Sequence, residues 1–198
     1  EFSACLVGSE MCIRDRDNTV SNSASCIAHA VTIILHDPIH IVGNDNFTEA
    51  NGVISGSGTS EDPYIIGYWD INAENVHGIW IESTDAYFII RSCRTHDGGY
   101  GYNYGVYFNN VQNGKIESAT SYFNDVGIYL KNSSNNIISK SNASYNVNGI
   151  YLQFSSNNII EKCTASNNFS RGIHLASSDN NIISNCTAKS NTDGIYLQ

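Results

Sequence analysis

From Gly78 onward, apolar and polar residues alternate over short stretches that Asn, Ser and Gly interrupt. Such period-two runs predict half-buried strands, and long helical periodicity is absent. One strand signature recurs: Gly78-Ile79-Trp80-Ile81, Gly105-Val106-Tyr107-Phe108, Gly127-Ile128-Tyr129-Leu130, Gly149-Ile150-Tyr151-Leu152, Gly172-Ile173-His174-Leu175 and Gly194-Ile195-Tyr196-Leu197. The Gly-to-Gly steps are 27, 22, 22, 23 and 22. Other positions keep the same beat. Nine residues after Gly127, Gly149 and Gly172 stand Asn136, Asn158 and Asn181; fourteen after stand Ser141, Cys163 and Cys186; nineteen after stand Asn146, Asn168 and Asn191. A whole unit of about 22 residues therefore repeats, which predicts an all-β solenoid whose coils stack at roughly 4.8 Å and bury their apolar faces only against one another.

Within the signature strand, the aliphatics one and three places after Gly share a face and are expected inside, with the intervening ring outside. In the second strand the position eleven after Gly is Ile in Ile89, Ile116, Ile138, Ile160 and Ile183, and is expected to be the inward one. The Asn at nineteen suits a bend and predicts an internal Asn ladder. Cys163 and Cys186, at the offset that also holds Ala119 and Ser141, read as a column of small buried residues with free thiols, the alternative being a disulfide.

Composition narrows the partners. A formal charge of −9 with 10 Lys plus Arg leaves no basic stripe for phosphates, so nucleic acid is not an expected partner. The longest apolar run, Ile27 to Leu35, falls well short of the roughly 20 residues of a membrane helix.

Cys5 to Arg16, CLVGSEMCIRDR, resembles the translation of a transposase adapter used in sequencing libraries, which implies a metagenomic read product. Residues 1–16 are therefore set apart as adapter-derived, 17–37 as a leader or disordered segment of uncertain register, and 38–198 as the β domain. Cys5 and Cys12 leave the cysteine arithmetic, and Cys26, Cys93, Cys163 and Cys186 remain. The end at Gln198, just after a signature strand, reads as truncation, with an open coil expected to fray or associate end to end with a second copy.

The entry segment carries a family resemblance. Pro38-Ile39-His40-Ile41-Val42-Gly43-Asn44, Asn51-Gly52-Val53-Ile54-Ser55-Gly56-Ser57-Gly58-Thr59, Asp62-Pro63-Tyr64-Ile65-Ile66 and Trp69-Asp70-Ile71 resemble the opening of NosD-like parallel β-helix proteins, within the carbohydrate-binding and sugar-hydrolase β-helix group. The resemblance covers Pro38 to Gln198. It implies a right-handed single-stranded parallel β-helix in an extracellular, cell-surface or periplasmic setting.

Three functions follow as expectations. The first is a scaffold that binds polysaccharide or surface partners, with Trp80, Tyr107, Tyr129, Tyr151, His174 and Tyr196 as an outward ladder of rings on which sugars stack. The loop from Gly98 to Tyr104, placed where the first coil exceeds the rest, is expected to wall that ladder. Alanine at Tyr129 or Tyr151 is expected to weaken retention without lowering the melting temperature. The second is a fragment of a polysaccharide-degrading enzyme, polygalacturonase- or lyase-like. Asn191-Thr192-Asp193-Gly194 resembles a polygalacturonase element, but Val126, Asn148 and Arg171 hold the Asp offset in earlier coils, and Glu117 and Glu161 lie two coils apart, so no catalytic residue is assigned. The third, implied by the resemblance, is periplasmic copper handling. His29, His36, His40, His77, His96 and His174 offer imidazoles, but Pro38 breaks the only helix-like His spacing, so no metal or other cofactor is assigned. Of five Asn-x-Ser/Thr sequons, beginning at Asn46, Asn132, Asn142, Asn168 and Asn185, Asn132 is the one expected to be best exposed.

Overall fold

The computed structural model describes the backbone of residues 4–7 and 10–13 and the whole of residues 33–198. The first unit contains an antiparallel pair, Ala4–Val7 with Glu10–Ile13. The readings placed on Cys26, on His29 and on most of the leader lie outside the described residues.

The second unit, Ile33–Gln198, is a parallel β-solenoid, and its first strand, Ile34–Leu35, precedes the Pro38 at which the sequence starts the domain. Three sheets run along it, two of seven strands and one of five, each taking one strand from successive coils. Single bridges from Asn142 to Thr164 and from Thr164 to Thr187 continue the third sheet. In the first sheet Ile79, Val106, Ile128, Ile150, Ile173 and Ile195 lie in register, reproducing the Gly-to-Gly beat residue for residue. The opening coil is built differently. Ile39–Val42 pairs with Ile79–Glu82, two short 3-10 turns follow, and an antiparallel pair, Val53–Ser55 with Tyr64–Gly67, leads back into the second sheet.

The core is the stack of inward columns. Ile128, Leu130, Ile138, Ile150, Leu152 and Ile160 are wholly buried. One assignment needs correction: in the coil of Gly78 the inward residue is Ile90, not Ile89, because Ile116 pairs with Ile90 and Lys115 with Ile89. The cause is one extra residue in the turn at Asp85–Tyr87, since three residues separate Thr84 from Phe88 where two separate Val111 from Gly114. A one-residue slip inverts a strand's faces.

Each coil turns its corners through residues with positive φ. Asn135, Asn157 and Asn180 form one such column, and Asn110 and Asn132 belong to another. Asn and Ser tolerate this left-handed conformation better than most residues, which accounts for their abundance. A second set, Asn124, Asn136, Asn146, Asn158 and Asn168, is buried. Asn146 Oδ1 accepts the backbone N–H of Asn124 at 3.0 Å, and Asn168 Oδ1 accepts that of Asn146 at 2.9 Å. A second ladder, Asn136–Asn158–Asn181, repeats the pattern at the next corner. These amides satisfy backbone groups that leave the sheet at each bend. They also explain the signature glycine: a Cβ on Gly127 would lie 2.7 Å from Asn146 Nδ2 and 2.8 Å from the carbonyl oxygen of Gly149.

Cys93, Cys163 and Cys186 are free. The Cys163 Sγ bonds the carbonyl of Ile138 in the coil below, and burial pushes its thiol up to about 12, so it behaves as an inert core residue. Asn132 is exposed as expected, whereas Asn168 is buried in the ladder.

Candidate functional site

The signature strands place one ring per coil on the outer face of the first sheet. Register aligns His40, Trp80, Tyr107, Tyr129, Tyr151, His174 and Tyr196. All six residues expected in the ladder are in one line, and His40 extends it by a coil. The Pro38-Ile39-His40-Ile41 run carried that signal, with Pro in place of Gly.

The rings do not lie flat on the surface. Tyr129 and Tyr151 stack at 4.8 Å and 4°, Tyr151 and His174 at 4.3 Å and 5°, and His40 and Trp80 at 3.9 Å and 16°. Along Tyr107, Tyr129, Tyr151 and His174 the planes stand across the solenoid axis, so faces are covered by neighbouring rings and edges meet solvent. Trp80 and Tyr107 are tilted by 31°, and Tyr196 meets His174 edge to face. Tyr107, Tyr129 and His174 are consequently buried although they point away from the core. Alanine at Tyr129 therefore removes packing as well as a surface group, which corrects the expectation that the melting temperature would be unaffected.

A second column flanks the ladder one place before each signature glycine. His77 and Tyr104 stack there at 4.6 Å and 7°, and Tyr104 meets Tyr129 edge to face at 5.0 Å. Farther along, the column continues as Val126, Asn148, Arg171 and Asp193. Arg171 places its guanidinium 4.1 Å over the Tyr196 ring and lies 3.7 Å from Asp193. On the ladder's other side Tyr129 Oη donates to Gln153 Oε1 at 2.5 Å.

Polar satisfaction sets this face apart. Five buried side-chain polar atoms among the described residues lack a hydrogen-bond partner: Trp80 Nε1, Ser139 Oγ, Asn148 Oδ1, Arg171 Nε and His174 Nε2. All except Ser139 belong to the ladder or its flank. Native proteins leave few such groups, and each calls for an explanation. Burial, reinforced by the Arg171 charge, pushes the His174 imidazole down to about 4, so it is neutral at pH 7. Desolvation holds the Tyr104, Tyr107, Tyr129 and Tyr151 hydroxyls above their ordinary range.

The loop after the third strand of the Gly78 coil does not wall the ladder with its tip. Of the five extra residues of this coil, four fall between His96 and Tyr104, as eight positions there match four between Tyr122 and Val126. Tyr104 joins the ladder's flank, but Tyr100 turns to the neighbouring corner, where it lines a cleft with Phe123 and Tyr145.

One cluster escaped the sequence. On the outer face of the third sheet, Arg94 grips Asp70 through both Nε, at 2.7 Å, and Nη2. His96 Nε2 lies 3.1 Å from Asp70 Oδ1, His96 Nδ1 lies 2.9 Å from Asp97 Oδ2, and the Tyr122 ring stacks on the imidazole. The Arg94 guanidinium holds the Asp70 carboxyl below its ordinary range. These residues are joined only by the strand register of Asp70 with Arg94 and of Asn72 with His96, across a coil whose length breaks the repeat. Glu117 is neutralised between Arg91 and Lys115. Among the described residues no three His, Cys, Asp or Glu side chains converge as a metal site would require, and no helix is long and apolar enough to cross a membrane.

A family profile described as "right handed beta helix region" matches residues 77–198. No curated protein matches. Among solved structures, this chain is similar to a single mutant of the periplasmic alginate epimerase AlgG, with a TM-score of 0.54 and 20% identity over 68% of this chain and 38% of that one. A double mutant of the same epimerase gives a TM-score of 0.53 and 22% identity, with the same coverage. The chain thus spans well under half the length of these structures, and the likeness at this identity is one of fold.

Proposed function

This chain belongs to the right-handed β-helix family, and from that premise we propose that it is an extracytoplasmic scaffold that binds a polysaccharide along its ladder face without transforming it. The observation that carries this reading is the set of unpartnered polar atoms on that face, Trp80 Nε1, Asn148 Oδ1 and His174 Nε2. Buried donors and acceptors left unpaired cost free energy, and a hydroxyl-rich polymer laid along the axis supplies their partners once side-chain rotation brings these atoms to the surface. Contact is then made by ring edges and polar atoms rather than by stacking on ring faces. The names of the similar structures, periplasmic epimerases of alginate, favour both the ligand class and the location.

The test uses substitutions that the fold already tolerates. Asn148→Val copies Val126 of the preceding coil, and His174→Phe keeps a stacked ring without its nitrogens. Affinity electrophoresis of the whole chain against alginate, pectin, xylan and β-glucan is expected to show retention that both variants reduce, with melting temperatures at or above the parent's. Equal mobility of parent and variants in every gel overturns the reading.

A second reading, a polysaccharide-modifying enzyme of which this chain is a part, draws on the Asp70–His96–Asp97 chain, in which an imidazole bridges two carboxylates. Asp193 lends it nothing, since its neighbour is Arg171 rather than a second carboxylate. Appearance of new reducing ends or unsaturated products from the same four polymers, lost in His96→Gln, is the expected sign of such activity. Copper handling gains no support from the geometry of the described residues.

A further inference from the structure

The third-sheet corner breaks two local rules at once. In successive coils it is occupied by Phe123, Tyr145, Asn167 and Ser190, all with positive φ. A bulky aromatic residue is a poor choice for that conformation, and Asn is a good one. Phe123 and Tyr145 are also 56% and 57% exposed, so burial does not compensate the backbone cost. Phe154 is an isolated case of the same kind at another corner, but Phe123 and Tyr145 stand in adjacent coils, and that pairing points to use rather than to folding.

Their surroundings form a receptacle. The two rings stand 6.4 Å apart and 59° to one another, giving two inclined walls, and Phe123 also meets Tyr122 edge to face at 5.2 Å. Tyr100, on the inserted loop, completes an apolar cleft of about 260 Å³ with Asp97 at its margin. The loop stem is fixed in place. Asn124 Oδ1, part of the buried ladder, accepts the Gly98 N–H at 3.0 Å, and the Phe123 carbonyl accepts that of Gly99 at 2.9 Å. Glycine is required at 98, where a Cβ would lie 2.7 Å from Asn124 Oδ1. His96 Nδ1 lies 2.9 Å from Asp97 Oδ2, which orients the carboxylate.

We propose that this cleft binds one neutral pyranose unit of a glycan, at a subsite separate from the ladder. The apolar face of a pyranose matches an aromatic wall, and a volume of this size takes a single ring. Asp97 decides the charge class. Its carboxylate accepts hydrogen bonds from sugar hydroxyls, and no cation lines the cleft, so a uronate would meet like charge.

The test is titration of the whole chain, followed by the aromatic proton signals in NMR, with cellohexaose, mannohexaose and xylohexaose and, separately, with an oligomannuronate. Saturable shifts of the Tyr100, Phe123 and Tyr145 ring signals are expected with at least one neutral oligosaccharide and not with the oligomannuronate, whatever the ladder signals do. Phe123→Asn and Tyr145→Asn, which install the residue that the column holds at Asn167, are expected to weaken binding about tenfold each while the chain stays folded. Asn148→Val is expected to leave this affinity unchanged, which separates the cleft from the ladder. The proposal is overturned if no neutral oligosaccharide shifts the three cleft signals, if the oligomannuronate shifts them as strongly as the neutral probes, or if both corner variants give the parent's affinity at the cleft.

Discussion

The ladder and the corner are both rows of aromatic residues on the outside of the same solenoid, yet they differ in every physical respect. Ladder rings rise from extended strands, stack nearly parallel at 4.3–5.2 Å along the run from Tyr107 to His174, and hide one another's faces. Corner rings rise from left-handed residues, incline at 59° and stay exposed. The first arrangement is what a parallel sheet does with like residues in register, and it stabilises the coils whether or not a ligand exists. The second adds little beyond the edge-to-face contact of Phe123 with Tyr122. An aromatic column is therefore weak support for sugar stacking until the rings' planes are known.

The largest effect that separates the two rows is on stability. Tyr129→Ala removes a buried ring stacked on both sides and its bond to Gln153, and is expected to cost about 3 kcal/mol. Tyr145→Ala, by contrast, is expected to stay within about 0.5 kcal/mol of the parent. Urea denaturation of the two variants checks the pair. Equal losses would mean that the corner ring packs as the ladder ring does.

A smaller effect comes from the one imidazole inside the ladder. Folded His174 holds its proton only below about 4, whereas in the unfolded chain it titrates near 6.5. Between those values the unfolded state binds more protons, so stability rises with pH in that window and falls as the pH drops through it. The loss expected at pH 5 relative to pH 7 is about 2 kcal/mol. His174→Phe keeps the stack and should flatten that part of the profile. A profile no flatter in the variant would assign the dependence to other groups, of which His77, also depressed by burial, is the first.

Much of this was legible in the sequence because stacking forces like residues to the same offset. The columns of Ile128 and Ile150, the buried Asn146 and Asn168, the free thiol of Cys163 and the alignment of the ladder all follow from counting between glycines. Counting fails where length varies: one added residue at Asp85–Tyr87 moved the inward position from Ile89 to Ile90. It also fails for properties that periodicity does not encode. Alternation says that Tyr129 points outward, but not that its ring is turned edge-on. The corner column was readable eighteen residues after each glycine, as Phe123, Tyr145, Asn167 and Ser190, but nothing in that row announces a positive φ until the Asn is recognised as the ordinary occupant. The cluster of Asp70, Arg94 and His96 joins residues 24 and 26 apart across an irregular coil, where no repeat could align them.

The smallest effect isolates the corner's backbone cost from its cleft. Asn167 occupies the same column one coil beyond Tyr145, with φ of 57°, and lies away from the inserted loop. Its backbone N–H bonds the carbonyl of Lys189, so the strand framework does not depend on its side chain. Asn167→Phe thus places an aromatic residue on the left-handed corner without a Tyr100 beside it. The expected cost is about 1 kcal/mol, read as a lowered urea midpoint at unchanged slope. The reverse changes, Phe123→Asn and Tyr145→Asn, should each return a similar amount. If Asn167→Phe proves neutral, aromatics at this corner carry no penalty, and Phe123 and Tyr145 need no ligand to account for them.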